Sequence, residues 1–366
     1  MSLVEASNPL IFPSGKTMKN RFMLAPMTNT QSGEDGILSD QEYNWLVKRA
    51  EGGFGMVCTC AAHVDFLGKG FPGQLGIYDD AQIPGHQRLV KGIQSYRSLA
   101  VIQLHHAGMR SPKELIGEAP LCPSDNEKTG ARAMTLTEVI GLRESFINAA
   151  KRAQKSGYDG IEIHGAHGYI LGQFLSADIN FRTDEYGGDL ANRARLIKEI
   201  VTGVREACGE NFIVGLRLSP ERFGMQIHEI KQLCLEFEAS KQLDFLDISL
   251  WDSFKMPEDE NFQDQRLLEQ FTSLNFTHTK LTVAGKIFST EDVQKVLANQ
   301  VDFVSIGKAA ILHYNFPQLI LADSSFRAIE TPVSRDYLKE QGLGIKFIDY
   351  MSKWPGFVEE ETDLLK

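Results

Sequence analysis

Cysteine is scarce in this chain, with five in 366 residues, an odd number and no C-x-x-C pair among them. That suits reduced thiols in a cytoplasmic protein better than a disulfide framework, and Cys58 and Cys60 read as strand residues rather than ligands. Positive charge is also short: 38 Lys and Arg stand against 48 Asp and Glu, a formal net charge of -10, with no long basic run. That argues against nucleic acid and anionic membrane as partners. No apolar stretch approaches the roughly 20 residues of a membrane-crossing helix, and the first residues lack the basic-then-apolar layout of a signal peptide, so the expected location is the cytoplasm.

What is present is an ordinary globular composition, 42% hydrophobic and 23% charged. Short apolar runs rich in β-branched residues fall at 22–26, 55–60, 100–104, 160–163, 212–216, 245–248, 281–284 and 302–306. Amphipathic stretches separate them at 41–50, 86–99, 137–155, 192–207, 227–240, 265–274 and 290–298, each long enough for a crossover helix between parallel strands. Eight such units in series suit a closed (β/α)8 TIM barrel better than an open, doubly wound sheet. Thr137 with Glu138, and Ser289 followed by Thr290, Glu291 and Asp292, mark expected helix starts. The expected organisation is one α/β barrel over residues 1–322, with long loops after strands three and four, and a C-terminal extension over 323–366 packed on the barrel or on a partner subunit. Its aromatic residues Tyr337, Tyr350, Trp354 and Phe357 have packing as their default role.

The densest chemistry lies where strand four ends, in I-E-I-H-G-A-H-G-Y from Ile161 to Tyr169. Barrel enzymes build their sites at such strand ends. His164, His167 and Tyr169, at offsets of three and five, can converge on one small ligand. Neutral imidazoles donate hydrogen bonds to an oxygen, and a phenol can release a proton. The same two histidines with Glu162 could instead hold a metal, although no third well-spaced ligand follows. Arg217 at the end of strand five is costly to bury without an anionic partner, which points to ligand charge. Strands seven and eight end in Gly285-Lys286 and Gly307-Lys308, where barrels often bind phosphate.

Taken together these segments resemble the Old Yellow Enzyme family, in its NADH:flavin oxidoreductase branch, from about Asn8 to Phe316. The motifs that carry the resemblance are N-R-F-M-L-A-P-M-T from Asn20, P-G-Q-L-G-I-Y from Pro72, Q-L-H-H-A-G from Gln103, the Ile161–Tyr169 segment, F-R-T-D-E-Y-G-G-D-L-A-N-R from Phe181, and L-R-L-S-P from Leu216. The resemblance implies noncovalent flavin mononucleotide (FMN) reduced by NADH or NADPH. It implies that Pro26, Met27, Thr28, Ala61 and Gln103 line the flavin ring, that Arg217 sits at its N1 and O2 edge, and that Gly285, Lys286, Gly307 and Lys308 hold its phosphate. His164 and His167 would grip the oxygen of an electron-poor small-molecule substrate, such as an α,β-unsaturated carbonyl compound, with Tyr169 as proton donor. A homo-oligomer is compatible with the resemblance.

The chain departs from the family pattern at three places. Lys286 stands where a second glycine is usual and Lys308 where an arginine is usual, which keeps the charge but loses the bidentate fork. The common H-A-G-R reads His106-Ala107-Gly108-Met109-Arg110, one residue late. Against the leading expectation, an NAD(P)H-dependent ene-reductase, stand a metal-dependent barrel hydrolase using His164 and His167, and a flavin-binding protein without alkene turnover.

Overall fold

A computed structural model describes residues 3–360. Its centre is a closed barrel of eight parallel strands: β1 (Phe22–Leu24), β2 (Met56–His63), β3 (Leu99–His105), β4 (Gly160–Gly165), β5 (Ile213–Leu218), β6 (Phe245–Ser249), β7 (Lys280–Ala284) and β8 (Phe303–Ile306). Neighbours in sequence are neighbours in space, and β8 closes on β1 through Val304 opposite Phe22, Ser305 opposite Met23 and Ile306 opposite Leu24. All eight expected strands are therefore found, and the closed sheet replaces the open alternative.

The crossover helices are α1 (Asp40–Glu51), α2 (Ile83–Gln94), α3 (Leu136–Lys155), α4 (Arg195–Cys208), α5 (Ile227–Ser240), α6 (Leu267–Thr272) and α7 (Thr290–Ala298). After β8 come α8 (Lys308–Leu312) and α9 (Phe316–Ala322). The sequence places the start of α3 two residues late. Thr135, not Thr137, is its cap, because the Thr135 hydroxyl accepts from Glu138 N at 3.3 Å while Glu138 accepts from Thr135 N at 2.8 Å. This reciprocal box satisfies two otherwise unpaired amides. Helix α2 ends at Gln94 rather than running to 99, since Arg97 takes a positive φ of 58° and Leu99 already belongs to β3.

Apolar residues on alternate positions divide into two layers. Phe22, Leu24, Val57, Ile102, Ile161, Ile163, Val214 and Leu216 face the surrounding helices. Met23, Met56, Cys58, Val101, Ile213, Phe245 and Phe303 fill the barrel floor, together with Leu10, Phe12 and Met18. These last three come from an antiparallel hairpin, Leu10–Ile11 with Thr17–Met18, that plugs the bottom, with Phe12 edge-on to Phe303 at 5.7 Å. The loop after β3 carries a small pair, Leu121–Cys122 with Arg132–Ala133.

Beyond α9 the chain forms α10 (Arg335–Glu340) and α11 (Ile345–Ser352), which fold back over the top of the barrel. Gly344 N donates to Gln31 Oε1 at 2.9 Å, Thr30 Oγ1 donates to Lys346 O at 3.2 Å, and the buried Phe347 ring meets Trp45 of α1 edge-on at 4.8 Å. The last six residues of the expected extension lie outside the described residues. No helix among the described residues is long and apolar enough to cross a membrane.

Candidate active site

Because side chains alternate along a strand, the inward positions of β2–β8 form rings stacked up the barrel, and their polarity rises with height. Above the apolar floor stands a ring with Gln103, Glu162, Asp247, Thr282 and Ser305, all nearly or fully buried. Above that stands a ring with Ala61, His105, His164, Arg217, Ser249 and Ala284. The register pairs Ala61 with Gln103, after a bulge between Cys58 and Ala61, and pairs His164 with Arg217 and Arg217 with Asp247. Five strands thus set residues 30 to 53 positions apart in the sequence side by side.

Two fully buried carboxyls face one guanidinium here. Arg217 Nε pairs by charge with Asp247 Oδ2 at 3.4 Å without a hydrogen bond, and the same oxygen accepts from Ser305 Oγ at 3.4 Å. Glu162 Oε1 accepts from Gln103 Nε2 at 2.7 Å. The other two oxygens, Glu162 Oε2 and Asp247 Oδ1, meet no donor, yet the two carboxyls lie within hydrogen-bonding contact of one another. Two acceptors can bond only through a proton. Burial, reinforced by the Asp247 charge, raises the Glu162 carboxyl well above the usual range, and burial raises Asp247 as well.

Over this set lies a cluster of rings. The Gln103 amide, fixed by Glu162, also lies 3.1 Å from His164 Nδ1. His164 Nε2 is 3.3 Å from His167 Nδ1, and His167 Nε2 is 2.8 Å from Ser249 Oγ. Tyr169 packs against His105 at 4.4 Å and His164 at 5.3 Å between ring centres, and the Arg110 guanidinium lies 4.7 Å over its ring. Although Arg110 comes one residue late in the motif, it still reaches this cluster and donates to His167 O at 2.7 Å. His167 and Gly168 have φ of 60° and 67°. That left-handed turn is unfavourable for a histidine, and the bonds of His167 N to Ser219 Oγ and of Arg110 to His167 O hold it. Burial keeps the imidazoles neutral: it pushes His164 and His105 well below the usual range and, aided by the Arg217 charge, His167 to about 3.

Beside the cluster, a cavity of roughly 540 Å³ opens between the ends of β1 and β5–β8, a size usual for a cofactor site. Pro26, Met27, Thr28, His167, Arg217, Gly285, Lys286, Gly307 and Lys308 line it. Ala61, Gln103, His164 and Tyr169 do not; they stand across the barrel mouth on β2, β3, β4 and the loop after it. The loop bearing Thr28 is pinned from below, where the buried Glu42 accepts from Asn29 Nδ2 at 3.0 Å, from Cys60 Sγ and from Ser32 Oγ.

The two lysines differ. Lys286 Nζ is held by Asp252 at 3.0 Å, whereas Lys308 has no acidic partner among the described residues and lies 5.0 Å over the Phe357 ring. The φ of 49° at Lys286 explains why a glycine suits that place. A flavin fits these residues: Arg217 Nε is buried without a hydrogen-bond acceptor, and Gly307 leaves room where a Cβ would meet nothing nearer than Met27 Sδ at 3.6 Å.

Sequence reasoning missed Ser249 and Asp247, inward-facing polar residues at the end of β6. It also gave only a packing role to Tyr350, Trp354 and Phe357, which reach the cavity wall from α11 and the segment after it. Among the described residues no group of three or more His, Cys, Asp or Glu side chains is placed to hold a metal, so the geometry lends the hydrolase alternative no support.

A sequence profile described as the NADH:flavin oxidoreductase / NADH oxidase family matches residues 8–323. The probable NADH-dependent flavin oxidoreductase YqiG of Bacillus subtilis (strain 168) is 37% identical over 319 residues, covering 84% of this chain and 85% of that protein. NADH:fumarate oxidoreductase of Klebsiella pneumoniae (strain 342) is 29% identical over 346 residues, covering 90% of this chain. The chain spans only 37% of that longer protein. Among solved structures, an old yellow enzyme homologue from Zymomonas mobilis shares the fold with a TM-score of 0.80 at 24% identity, covering 94% of this chain and 99% of that one.

Proposed function

Because the chain belongs to the NADH:flavin oxidoreductase / NADH oxidase family, whose cofactor is flavin mononucleotide, we propose that it is an NAD(P)H-dependent ene-reductase acting on alkenes conjugated to a carbonyl or similar group. The observation that carries this reading is the convergence of His164, His167 and Tyr169 beside Arg217 at the mouth of the barrel. The name of the Klebsiella relative points the same way, since fumarate is an alkene activated by carboxyl groups.

When bound, flavin mononucleotide would supply the hydride chemistry that links NAD(P)H to the alkene. Arg217 is the cation available to its electron-rich edge, where a fixed guanidinium stabilises charge that grows on reduction. Lys308 and the backbone at Gly285 and Gly307 are placed for its phosphate, and Pro26, Met27, Thr28, Ala61 and Gln103 for its ring. His164 and His167 hold the substrate carbonyl oxygen and draw electron density from the alkene. Tyr169, half-buried beside them, gives its phenolic proton to the carbon next to the carbonyl.

The test is a purified protein that is yellow and oxidises NAD(P)H with an enone. In the Tyr169→Phe variant, enone reduction should fall by about 10²–10⁴-fold, the usual contribution of a general acid. Quinones, which take protons on oxygen from solvent, should be reduced nearly as before. Equal slowing with both acceptors, or no slowing with either, removes Tyr169 from the acid role. A yellow protein that reduces no activated alkene would instead be a flavin binder without this turnover.

A further inference from the structure

We propose that Ser249 is a positioning residue that fixes the tautomer of His167, so that His164 and His167 turn one N–H each toward the same substrate oxygen. This rests on the oxygen-holding role given to the two histidines above. Two routes of hydrogen bonds lead to the pair, one from Glu162 and one from Arg217.

The first route fixes His164. Glu162 presents Oε1 as an acceptor, and Gln103 Nε2 donates to it at 2.7 Å. That orients the Gln103 amide, whose second N–H meets His164 Nδ1 at 3.1 Å. An amide nitrogen only donates, so Nδ1 is bare and the ring proton of His164 is on Nε2, facing His167.

The second route fixes His167. Ser249 Oγ has two partners, Arg217 Nη2 at 3.5 Å and His167 Nε2 at 2.8 Å. Arg217 can only donate, so the serine oxygen accepts from it and the hydroxyl proton is free for His167 Nε2. When that hydroxyl donates to Nε2, His167 carries its own proton on Nδ1, which faces His164 Nε2 at 3.3 Å.

Two N–H groups directed at each other at that distance repel unless an acceptor lies beside both. A carbonyl or phenolate oxygen is such an acceptor. Without one, His164 Nε2–H donates to His167 Nδ1, the His167 proton moves to Nε2, and the Ser249 hydroxyl turns to accept it. The change exchanges one proton between the two nitrogens of one ring, with no net gain or loss. An oxygen ligand therefore selects the tautomer that Ser249 can support, and a ligand with no acceptor at that point gains nothing from it.

The test uses the FMN-loaded protein, titrated with a para-substituted phenol and followed by the long-wavelength absorption band of a phenolate over flavin. Ser249→Ala should bind the phenol about 3- to 10-fold more weakly, the worth of one hydrogen bond, with flavin retained. Ser249→Thr, which restores the hydroxyl, should bind like the parent. In ¹⁵N-labelled protein with phenol bound, the His167 ring should show its proton on Nδ1, and in Ser249→Ala a mixture of tautomers. Phenol affinity unchanged in Ser249→Ala, equal weakening in both variants, or an Nε2 proton on His167 in the parent complex would overturn the proposal. The His164→Ala/His167→Ala double variant separates this from the reading beneath it. If that variant also binds phenol normally, the histidines hold no oxygen and the proposed function itself fails.

Discussion

Lys308 and Lys286 follow matching glycines at the ends of two adjacent strands, yet only one of them has charge to spare. Lys286 is tied to Asp252, while Lys308 faces the cavity with an aromatic ring as its neighbour. Replacing Lys308 by Ala should weaken FMN binding by about 1.5–3 kcal/mol, the range for a hydrogen bond to a charged group. Lys286→Ala should cost no more than the roughly 0–1 kcal/mol typical of an exposed ion pair. Equilibrium dialysis with flavin fluorescence as readout compares them, and equal losses would undo the assignment of Lys308 as the phosphate cation. At this scale the motifs named the residues that converge at the barrel mouth, because histidines, an arginine and a tyrosine gathered at the ends of barrel strands are costly to bury unless a ligand meets them. They could not name Ser249 or Asp247. Nothing local distinguishes a serine that ends β6 from any other serine, and its importance comes from lying 2.8 Å from a histidine 82 positions away.

Among the elements, α11 depends most on distant contacts. It is eight residues long, too short to be stable alone in water, and is held by Phe347 against Trp45 and by the bond of Gly344 to Gln31. Truncating a buried phenylalanine typically costs about 3–5 kcal/mol, so Phe347→Ala should lower the melting temperature and expose the segment from α10 onward to limited proteolysis. If the variant melts like the parent and is cut no faster, α11 is not anchored in this way. The barrel strands were readable because each is a short apolar run between turn residues, and burial on both faces leaves few alternatives. The path of the chain past Ala322 was not, since two short helices set by contacts with α1 and the β1 loop carry no period of their own.

For the molecule as a whole, stability should follow the buried imidazoles. Burial lowers His63, His86 and His106 to about 4 and His167 to about 3, and pushes His105 and His164 well below the usual value. In each case the unfolded ring binds a proton that the folded one refuses. Stability is therefore fully present above the unfolded value of 6.5 and is lost as pH falls from there toward 4. For His86, locked neutral between Tyr158 Oη and Gly76 O, the loss is roughly 3 kcal/mol at 1.36 kcal/mol per unit. Glu162, Glu42 and Asp247 act in the opposite sense, since burial raises them and the folded state keeps protons that the unfolded chain sheds. Six rings outweigh three carboxyls below 6.5, and above it only the carboxyls remain. Urea midpoints should rise from about pH 5 to about pH 6.5 and then decline gently; a flat profile would mean that the rings are solvated. The pairing of β8 with β1 sets a condition on biosynthesis. Strand β1 emerges from the ribosome early and exposes an open sheet edge until residues 304–306 follow it out, some 280 positions later. A nascent chain stalled before Phe303 emerges should be readily digested, and one stalled after Ala322 emerges should resist. Tyr350, Trp354 and Phe357 come later still, so the cavity wall they form is completed only after the barrel has closed.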